Sequence, residues 1–214
     1  MIPPLPRLLL ITGRFPNVDL LQVVEQALAG GVRHLLLREK GLPLPELTAL
    51  AMALRRLTME RGAWLLIHDH PELALAVGAD GVHLSEQGPE TGAVRHLLKP
   101  LVGGGLLGRS CHSVPAACHA LAAGADYVTL SPLFPTLSHP GLPALGVERF
   151  AALRACIPGP VLALGGIHLA NVDAALRAGA DGVALIRGIL ENADPCQAAA
   201  DLQVAMDRTG AKLY

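Results

Sequence analysis

The sequence of 214 residues lacks the features by which nucleic-acid-binding and membrane-spanning proteins are usually recognised. It contains no basic run, and its 17 lysines and arginines nearly cancel its 18 aspartates and glutamates. Because binding to nucleic acid needs clustered cations, nucleic acid is not expected as a partner. No stretch of about 20 apolar residues is free of turn signals, so no membrane span is expected either.

The sequence also lacks the cysteine spacing of a disulfide framework or a zinc site. Its four cysteines form no CxxC pair: Cys111, Cys118, Cys156 and Cys196. We therefore expect reduced thiols packed in or near the core, as in a cytoplasmic protein. The apolar run at Leu8–Ile11 is too short for a signal-peptide core, and prolines precede it.

A folded domain with a large core is predicted instead. Half of the residues (51%) are apolar and only 16% are charged, whereas disordered chains are polar and rich in charge. The length suits one domain over residues 1–214, and a (β/α)₈ barrel commonly needs roughly 200 to 250 residues.

A repeated pentapeptide gives the architecture. Gly78–Val82, Gly124–Val128 and Gly179–Val183 each read Gly-Ala-Asp-Gly/Tyr-Val, and Gly30–Val32 is a looser copy. Each follows an amphipathic stretch and precedes a short apolar run. This pattern indicates a helix that ends at a left-handed glycine and turns directly into a strand. Repeated turns of this kind predict βα alternation and a parallel sheet.

The same pattern divides the chain into eight strand–helix units. The predicted strands are Leu8–Thr12, His34–Arg38, Trp64–His68, Gly81–Leu84, Leu106–Ser110, Tyr127–Ser131, Val161–Leu164 and Gly182–Ile186. The predicted helices are Val18–Ala29, Pro45–Arg61, Pro71–Val77, Glu90–Leu98, Val114–Ala123, Val147–Ala155, Asn171–Ala178 and Asp194–Asp207. Eight units without a leftover segment favour an α/β fold of the TIM (β/α)₈ barrel type, with an open doubly wound sheet as the alternative.

Polar residues collect where the predicted strands end, which is the face on which barrel active sites are built. Two phosphate signals belong to the last two units. Gly165 and Gly166 follow strand seven and would let backbone N–H groups approach an anion. Arg187 and Gly188 follow strand eight and open a short helix. A long proline-stiffened loop over residues 131–141 is expected to act as a lid or ligand clamp.

Several motifs, in order along the chain, resemble the thiamine phosphate synthase / TenI superfamily. They are Leu37–Lys40, Asp80–Leu84, Gly108–Ser113, Gly124–Val128, Ser131–Thr136, Ala163–Ile167 and Ala180–Ala184. The resemblance covers roughly Leu8–Leu190. It implies a TIM barrel that acts in assembly of the thiazole half of thiamine or in its coupling to the pyrimidine half.

Departures from the synthase pattern favour the TenI-type member of this superfamily. A synthase joins pyrimidine diphosphate to thiazole phosphate with the help of Mg²⁺. This chain differs from the synthase motifs at four positions. Leu36 stands where the motif has glutamine, His68 where it has asparagine, Gly88 where it has the second metal-binding aspartate, and His139 where the loop over residues 131–141 has lysine. Departure of diphosphate concentrates negative charge, so these losses weaken the synthase interpretation. Under it, Mg²⁺ would be held by the retained Asp69.

The TenI-type interpretation predicts a thiazole tautomerase that aromatises thiazole carboxylate phosphate without a metal or other cofactor. Histidine suits such proton transfer. The histidine of the best-known member falls on Pro132, so His139 is the replacement candidate, followed by His112 and His83. Arg38 and Lys40 would hold the carboxylate, and the phosphate would lie against Gly165, Gly166 and Arg187. The other substrate-binding candidates are His68, Ser110, Thr136, Ser138 and Gly188.

Two further interpretations stay open. A non-catalytic regulator that senses thiazole or thiamine phosphates would need the same anion-binding residues. A metal hydrolase would use His68, Asp69, His70 and His83, since closely spaced histidines at strand ends bind metals in some barrels. The partner expected in every case but the hydrolase is a small phosphorylated thiazole compound, and a homodimer is possible for an apolar-rich barrel of this size.

Overall fold

A computed structural model of the chain describes residues 3–13, 15–16, 18–136 and 143–209. Within this part, eight parallel strands pair in sequence order and close into a barrel, β8 pairing with β1. The strands are β1 Leu8–Ile11, β2 His34–Leu37, β3 Trp64–His68, β4 Gly81–Leu84, β5 Leu106–Cys111, β6 Tyr127–Leu130, β7 Val161–Leu164 and β8 Gly182–Leu185. The predicted (β/α)₈ barrel is confirmed, and the open sheet is wrong.

Helices separate the strands. They are α1 Leu20–Ala29, α2 Leu44–Glu60, α3 Pro71–Val77, α4 Thr91–Leu97, α5 Val114–Ala122, α6 Gly146–Arg154, α7 Val172–Arg177, α8 Arg187–Leu190 and α9 Pro195–Arg208. Side-chain caps fix several starts, as where Ser113 Oγ accepts from the Ala116 N–H at 3.3 Å. Predicted and observed ends agree within two residues.

The core has two parts, as expected for a barrel whose strands are covered on both faces. Apolar side chains of one set pack between the strands and the surrounding helices. The other set fills the inside of the barrel and includes Leu9, Leu36, Leu66, Tyr127 and Leu162, all almost fully buried. The filled interior leaves space for a ligand only towards the two ends.

The structure explains why the Gly-Ala-Asp turn recurs. At each copy the aspartate lies just before a strand and accepts two hydrogen bonds, one from the N–H of a residue in the preceding strand and one from an arginine of the helix before that strand. Asp80 accepts from Leu65 N at 2.8 Å and from Arg55 at 2.6 Å. The equivalent sets are Asp126 with Leu107 N and Arg95, and Asp181 with Val161 N and Arg154. We call each set an aspartate clamp.

The predicted helix-ending glycines are also confirmed. Gly78, Gly124 and Gly179 have φ of 63°, 102° and 93°, values that residues with a Cβ rarely adopt. All three turns lie at the N-terminal end of the barrel, opposite the expected site.

Two expectations, one about membrane spans and one about thiols, can be checked in the described part. No helix there is long and apolar enough to cross a membrane. All four cysteines are unpaired, and Cys111 is buried. The expectation that every cysteine packs in or near the core is wrong for Cys156, which is exposed near the C-terminal end of α6, outside the barrel.

Candidate functional site

A pocket of about 160 Å³ opens at the C-terminal ends of the strands. Ten residues predicted for the site line it: Arg38, Lys40, His68, His83, Ser110, His112, Thr136, Gly165, Gly166 and Arg187. Gly188 does not line the pocket; it is the second residue of α8 and packs near Ile167. Ser138 and His139 lie outside the described residues, so their predicted roles are untested.

Among the charged residues that line the pocket, three are cations and one, Glu86, is acidic. Arg38 and Lys40 follow β2, and Arg187 follows β8. The Thr12 hydroxyl accepts from the Arg38 N–H at 2.8 Å and fixes the start of this loop. Burial lowers the pKa of Arg38, partly offset by Glu39 and Asp69, so its positive charge carries an uncompensated desolvation cost. An anionic ligand would relieve that cost.

Arg187 is less available than the sequence suggested. Its guanidinium pairs with Glu191 at 3.2 Å and lies 5.1 Å from the centre of the Phe15 ring. Both contacts hold the side chain at the mouth of the pocket. Because the pair is half-exposed, an anion could compete for the guanidinium at modest cost.

His83 lies beneath the pocket and is almost fully buried. Its Nδ1 is 3.0 Å from the Tyr127 hydroxyl and its Nε2 is 2.9 Å from Ser110 Oγ. Burial lowers the pKa of His83 to about 3 and raises that of Tyr127. His83 is therefore neutral near pH 7, and with Tyr127 donating to Nδ1, its Nε2–H donates to Ser110. This geometry favours positioning of Ser110 over the acid/base role first assigned to His83.

Asp69 anchors a second network next to the pocket. It adopts φ of 55°, rare for a residue with a Cβ, directly after β3. This conformation lets Oδ1 accept from the Ser85 N–H at 2.7 Å, while Oδ2 lies 3.4 Å from His68 Nδ1. A Cβ on Gly88 would lie 2.4 Å from Asp69 Oδ1, so position 88 adjoins the carboxylate. The glycine leaves room for the bond between Asp69 and Ser85.

The site residues predicted from the sequence did not include Glu86, which was considered only as a substitute metal ligand, or the arginine that holds its loop. Glu86 and Ser85 line the pocket in the loop after β4. Arg109 of β5 ties that loop down by donating to the carbonyls of Glu86 at 2.9 Å and Pro89 at 2.7 Å. The signal was present, because both Ser85 and Glu86 follow a strand end, the criterion that selected the other site residues.

His112 has the geometry of an acid/base group. Its Nδ1 lies 2.8 Å from the Ser131 carbonyl oxygen, which can only accept, so Nδ1 carries a proton. In the neutral ring Nε2 is then the basic nitrogen, and Glu86 Oε2 lies 4.0 Å from it. Both residues line the pocket, so among the histidines of the described residues His112 fits proton transfer best.

The glycine pair Gly165–Gly166 is required by the adjacent loop. Both residues have positive φ, of 102° and 63°. A Cβ on Gly165 would lie 2.8 Å from Pro132 Cα, and one on Gly166 would lie 2.5 Å from the Pro135 carbonyl oxygen. The pair therefore lets the loop after β6 pack over β7 while its backbone lines the pocket. The predicted contact with phosphate is compatible with this packing and stays a prediction.

The described residues contain no group of three or more histidine, cysteine or acidic side chains placed to hold a metal ion. The hydrolase interpretation, which needs His68, Asp69, His70 and His83 around one metal, therefore finds no support in this geometry.

Comparison with known proteins agrees with the fold. The family model described as thiamine monophosphate synthase matches residues 8–189. The chain belongs to this family. It is 52% identical to the "Putative thiamine-phosphate synthase" of Geobacter sulfurreducens over 83% of this chain and 82% of that protein. It is 42% identical to the "Thiamine-phosphate synthase" of Methanoculleus marisnigri, covering 83% of each.

A solved structure gives the same result. The thiamine phosphate pyrophosphorylase from Pyrococcus furiosus superposes with a TM-score of 0.84 at 30% identity, over 95% of this chain and 96% of the other. Family membership places the protein in thiamine biosynthesis. The names of these relatives favour synthase over tautomerase, the reverse of the order that the motif departures suggested.

Proposed function

We propose that this protein is a thiamine phosphate synthase, a transferase that joins a pyrimidine diphosphate to a thiazole phosphate and releases pyrophosphate. The observation that carries the proposal is the similarity, over more than four-fifths of the chain, to proteins named for that activity. The cationic pocket at the strand ends supports it, because both substrates and the leaving group are anions.

The chain offers two separate anion-binding regions for the two substrates. On one side Arg38 and Lys40 would hold the diphosphate, where the buried guanidinium gains most from a negative partner. On the other side the Gly165–Gly166 backbone and Arg187 would hold the thiazole phosphate. Ser110 already accepts from His83, so its own hydroxyl proton can donate to a substrate between them.

Mg²⁺ fits this site only as an ion that is shared with the diphosphate. Mg²⁺ is commonly bound through one or two carboxylates, with substrate phosphates and water as its other ligands. Asp69 is the carboxylate in contact with two pocket residues, His68 and Ser85, and would hold the ion. When bound, Mg²⁺ would neutralise charge on the departing pyrophosphate.

A second candidate, thiazole tautomerase, is favoured by a specific pair of observations. Position 88, which adjoins Asp69, carries no carboxylate. His112 has its proton fixed on Nδ1 by Ser131, so in the neutral ring Nε2 is the basic nitrogen that a proton transfer would use. This chemistry needs the anion-binding residues but not Asp69, so the two candidates differ in their dependence on that side chain.

Parallel assays of the purified protein distinguish them. We expect thiamine phosphate and pyrophosphate to form from the two substrates in the presence of Mg²⁺, and Asp69→Asn to reduce kcat by at least ~10²-fold. The matched control is Asp207→Asn, on the exposed face of α9, which should retain full activity.

Tautomerisation of thiazole carboxylate phosphate without added metal, together with no coupling, would overturn the synthase proposal. In that case His112→Asn should abolish tautomerisation while Asp69→Asn leaves most of it. Tight binding of both phosphates with neither reaction would instead support the regulatory interpretation.

A further inference from the structure

A second cavity, which we call the basal cavity, lies at the N-terminal end of the barrel, opposite the pocket. It measures about 280 Å³, against about 160 Å³ for the pocket. Arg7, Arg33, His34, Trp64, Asp181 and Gln203 are the polar and aromatic residues of its wall. Its size is close to the range of small-molecule sites, roughly 300 to 1,000 Å³.

Strand register shows what this part of the barrel would contain if the aspartate clamps continued around the ring. The three clamp aspartates each lie just before the first residue of a strand. These first residues are Gly81, Tyr127 and Gly182, and they pair with Leu66, Gly108 and Leu162 of the preceding strands. His34 pairs with Leu9 in the same way. The residue before His34 is Arg33. An arginine therefore occupies the fourth aspartate position.

The arginine position of the fourth clamp is changed as well. In two clamps the helix arginine also donates to the carbonyl of the turn glycine, Arg95 to Gly124 and Arg154 to Gly179. In the fourth unit the equivalent donor is Gln203 of α9, whose Nε2 donates to the Gly31 carbonyl at 3.0 Å. In the fourth unit the neutral amide of Gln203 thus replaces the clamp arginine, and the cation Arg33 replaces the clamp aspartate.

Because of this exchange, the wall of the basal cavity contains a positively charged arginine, Arg33, that is not paired with a carboxylate of the described residues. Arg33 donates to the Leu28 and Val32 carbonyls and has no acidic partner among the described residues. Arg7 pairs with exposed Asp207 at 2.9 Å, yet its Nε is buried without a hydrogen-bond partner in the described part of the chain. A buried donor without a partner carries a desolvation cost.

The other wall residues are neutral or already compensated. Asp181 belongs to the third clamp, where Arg154 neutralises it at 2.7 Å. The His34 ring is buried, contacts the Pro4 carbonyl oxygen at 2.8 Å and stacks on Trp64 with the ring centres 5.0 Å apart. Leu5, Leu8 and Leu162 add apolar surface. The wall therefore combines a guanidinium with a flat aromatic face.

We propose that the basal cavity is a second ligand site, which binds a small carboxylate with a flat apolar body. The carboxylate takes the place of the missing fourth aspartate and pairs with Arg33, and the apolar body lies against Trp64 and the leucines. Guanidinium groups suit this role because they bind carboxylates through two parallel hydrogen bonds. The site shares no lining residue with the pocket.

The chain provides its own reporter, since Trp64 is its only tryptophan. We expect benzoate, used as the probe, to change the tryptophan fluorescence saturably, and its neutral isostere benzamide to have at least tenfold weaker effect. Arg33→Gln should weaken benzoate binding at least tenfold. Arg33→Asp, which restores the aspartate of the other three units, should abolish it.

Arg56→Gln is the matched control, because Arg56 is exposed on α2 and should leave binding unchanged. If Arg33→Gln does not fold by circular dichroism, Gln203→Glu tests the same idea by adding a negative charge to the wall, and it should also lose binding. No saturable change with wild-type protein, equal binding of benzamide, or unchanged binding by both variants would each overturn the proposal.

Discussion

At the residue scale, the pocket owes its chemistry to side chains whose charge or backbone conformation is costly without a ligand. Arg38 is a cation held in a desolvated position, and Asp69 adopts a left-handed backbone that costs roughly 1 kcal/mol for a residue with a Cβ. Strain and desolvation of this kind are typical of functional sites. They identify the two residues whose removal should be most informative.

Replacing Arg38 by glutamine tests the anion-binding role. We expect kcat/KM to fall by at least ~10²-fold, since a charge-assisted contact to an anion is worth about 2–3 kcal/mol. Steady-state kinetics of the coupling reaction measures the change, with Arg56→Gln as the exposed control. Equal kinetics of the two variants would show that Arg38 does not contact a substrate.

Glycine at position 166 has two possible reasons, its positive φ and the close packing of the loop after β6, and a second glycine allows them to be distinguished. Gly62 has φ of 60°, close to the 63° of Gly166, but a Cβ on Gly62 would meet nothing within 4 Å. We expect Gly62→Ala to cost about 1 kcal/mol of unfolding free energy. Gly166→Ala should cost at least ~2 kcal/mol and reduce activity, because its Cβ would also strike the Pro135 carbonyl.

Urea denaturation of both variants gives the comparison. A loss for Gly166→Ala no greater than that for Gly62→Ala would show that the loop after β6 moves aside freely and that close packing does not explain the glycine.

At the scale of the element, the same aspartate clamp joins three of the eight pairs of neighbouring strands: β3 with β4, β5 with β6, and β7 with β8. Each clamp ties a helix arginine and a strand N–H to one carboxylate, so it links a helix, the strand that follows it and the turn before the next strand. The fourth unit, with Arg33 and Gln203, departs from this scheme. The Gly-Ala-Asp turn therefore recurs in the sequence because the same clamp stabilises the N-terminal end of the barrel three times. The unit that lacks the clamp lies at the basal cavity.

Asp80→Ala should destabilise the protein by about 2–3 kcal/mol, because it leaves the mostly buried Arg55 and the Leu65 N–H without their acceptor. Asp207→Ala is the matched control, since it removes an ion pair whose aspartate is 66% exposed. We expect less than about 1 kcal/mol there. Chemical denaturation measures both, and similar losses would contradict the stabilising role of the clamp.

At the scale of the whole molecule, stability should depend on pH through three histidines that are held neutral: His34 and His83, which are buried, and His68, whose side chain is 12% exposed. Burial lowers the pKa of His34 and of His68 to about 4 and that of His83 to about 3. In the unfolded chain each would titrate near pH 6.5. Acid therefore favours the unfolded chain, which takes up the protons that the native state refuses.

The stability contributed by these groups is complete above about pH 6.5 and is lost as the pH falls towards about 4. Between about pH 7.5 and about pH 5.5 we expect a loss of roughly 1 kcal/mol for each histidine. Urea denaturation at the two pH values measures the sum, and His34→Gln should remove about one third of the difference. A pH-independent stability of the wild-type protein would show that the rings are hydrated.

Much of the fold follows from local patterns in the sequence. Turn glycines, helix caps and continuous apolar runs are decided within a few residues, so the strands and helices were predicted to within two residues at each end. The end of the barrel that carries the pocket also followed, because parallel strands place all their carboxyl ends together. Arg38, Lys40 and Gly165 could be assigned to the pocket for that reason.

The chemical role of each of those residues was decided only by the tertiary structure. His83 and His112 are equivalent in the sequence, both near the ends of strands, yet burial keeps one neutral beneath the pocket while Ser131 fixes the proton of the other at its wall. That Arg33 replaces a fourth clamp aspartate could be recognised only from the strand register, and that it lines a cavity only from the structure. Local sequence determines backbone conformation, whereas pKa values and cavities depend on neighbours that are distant along the chain.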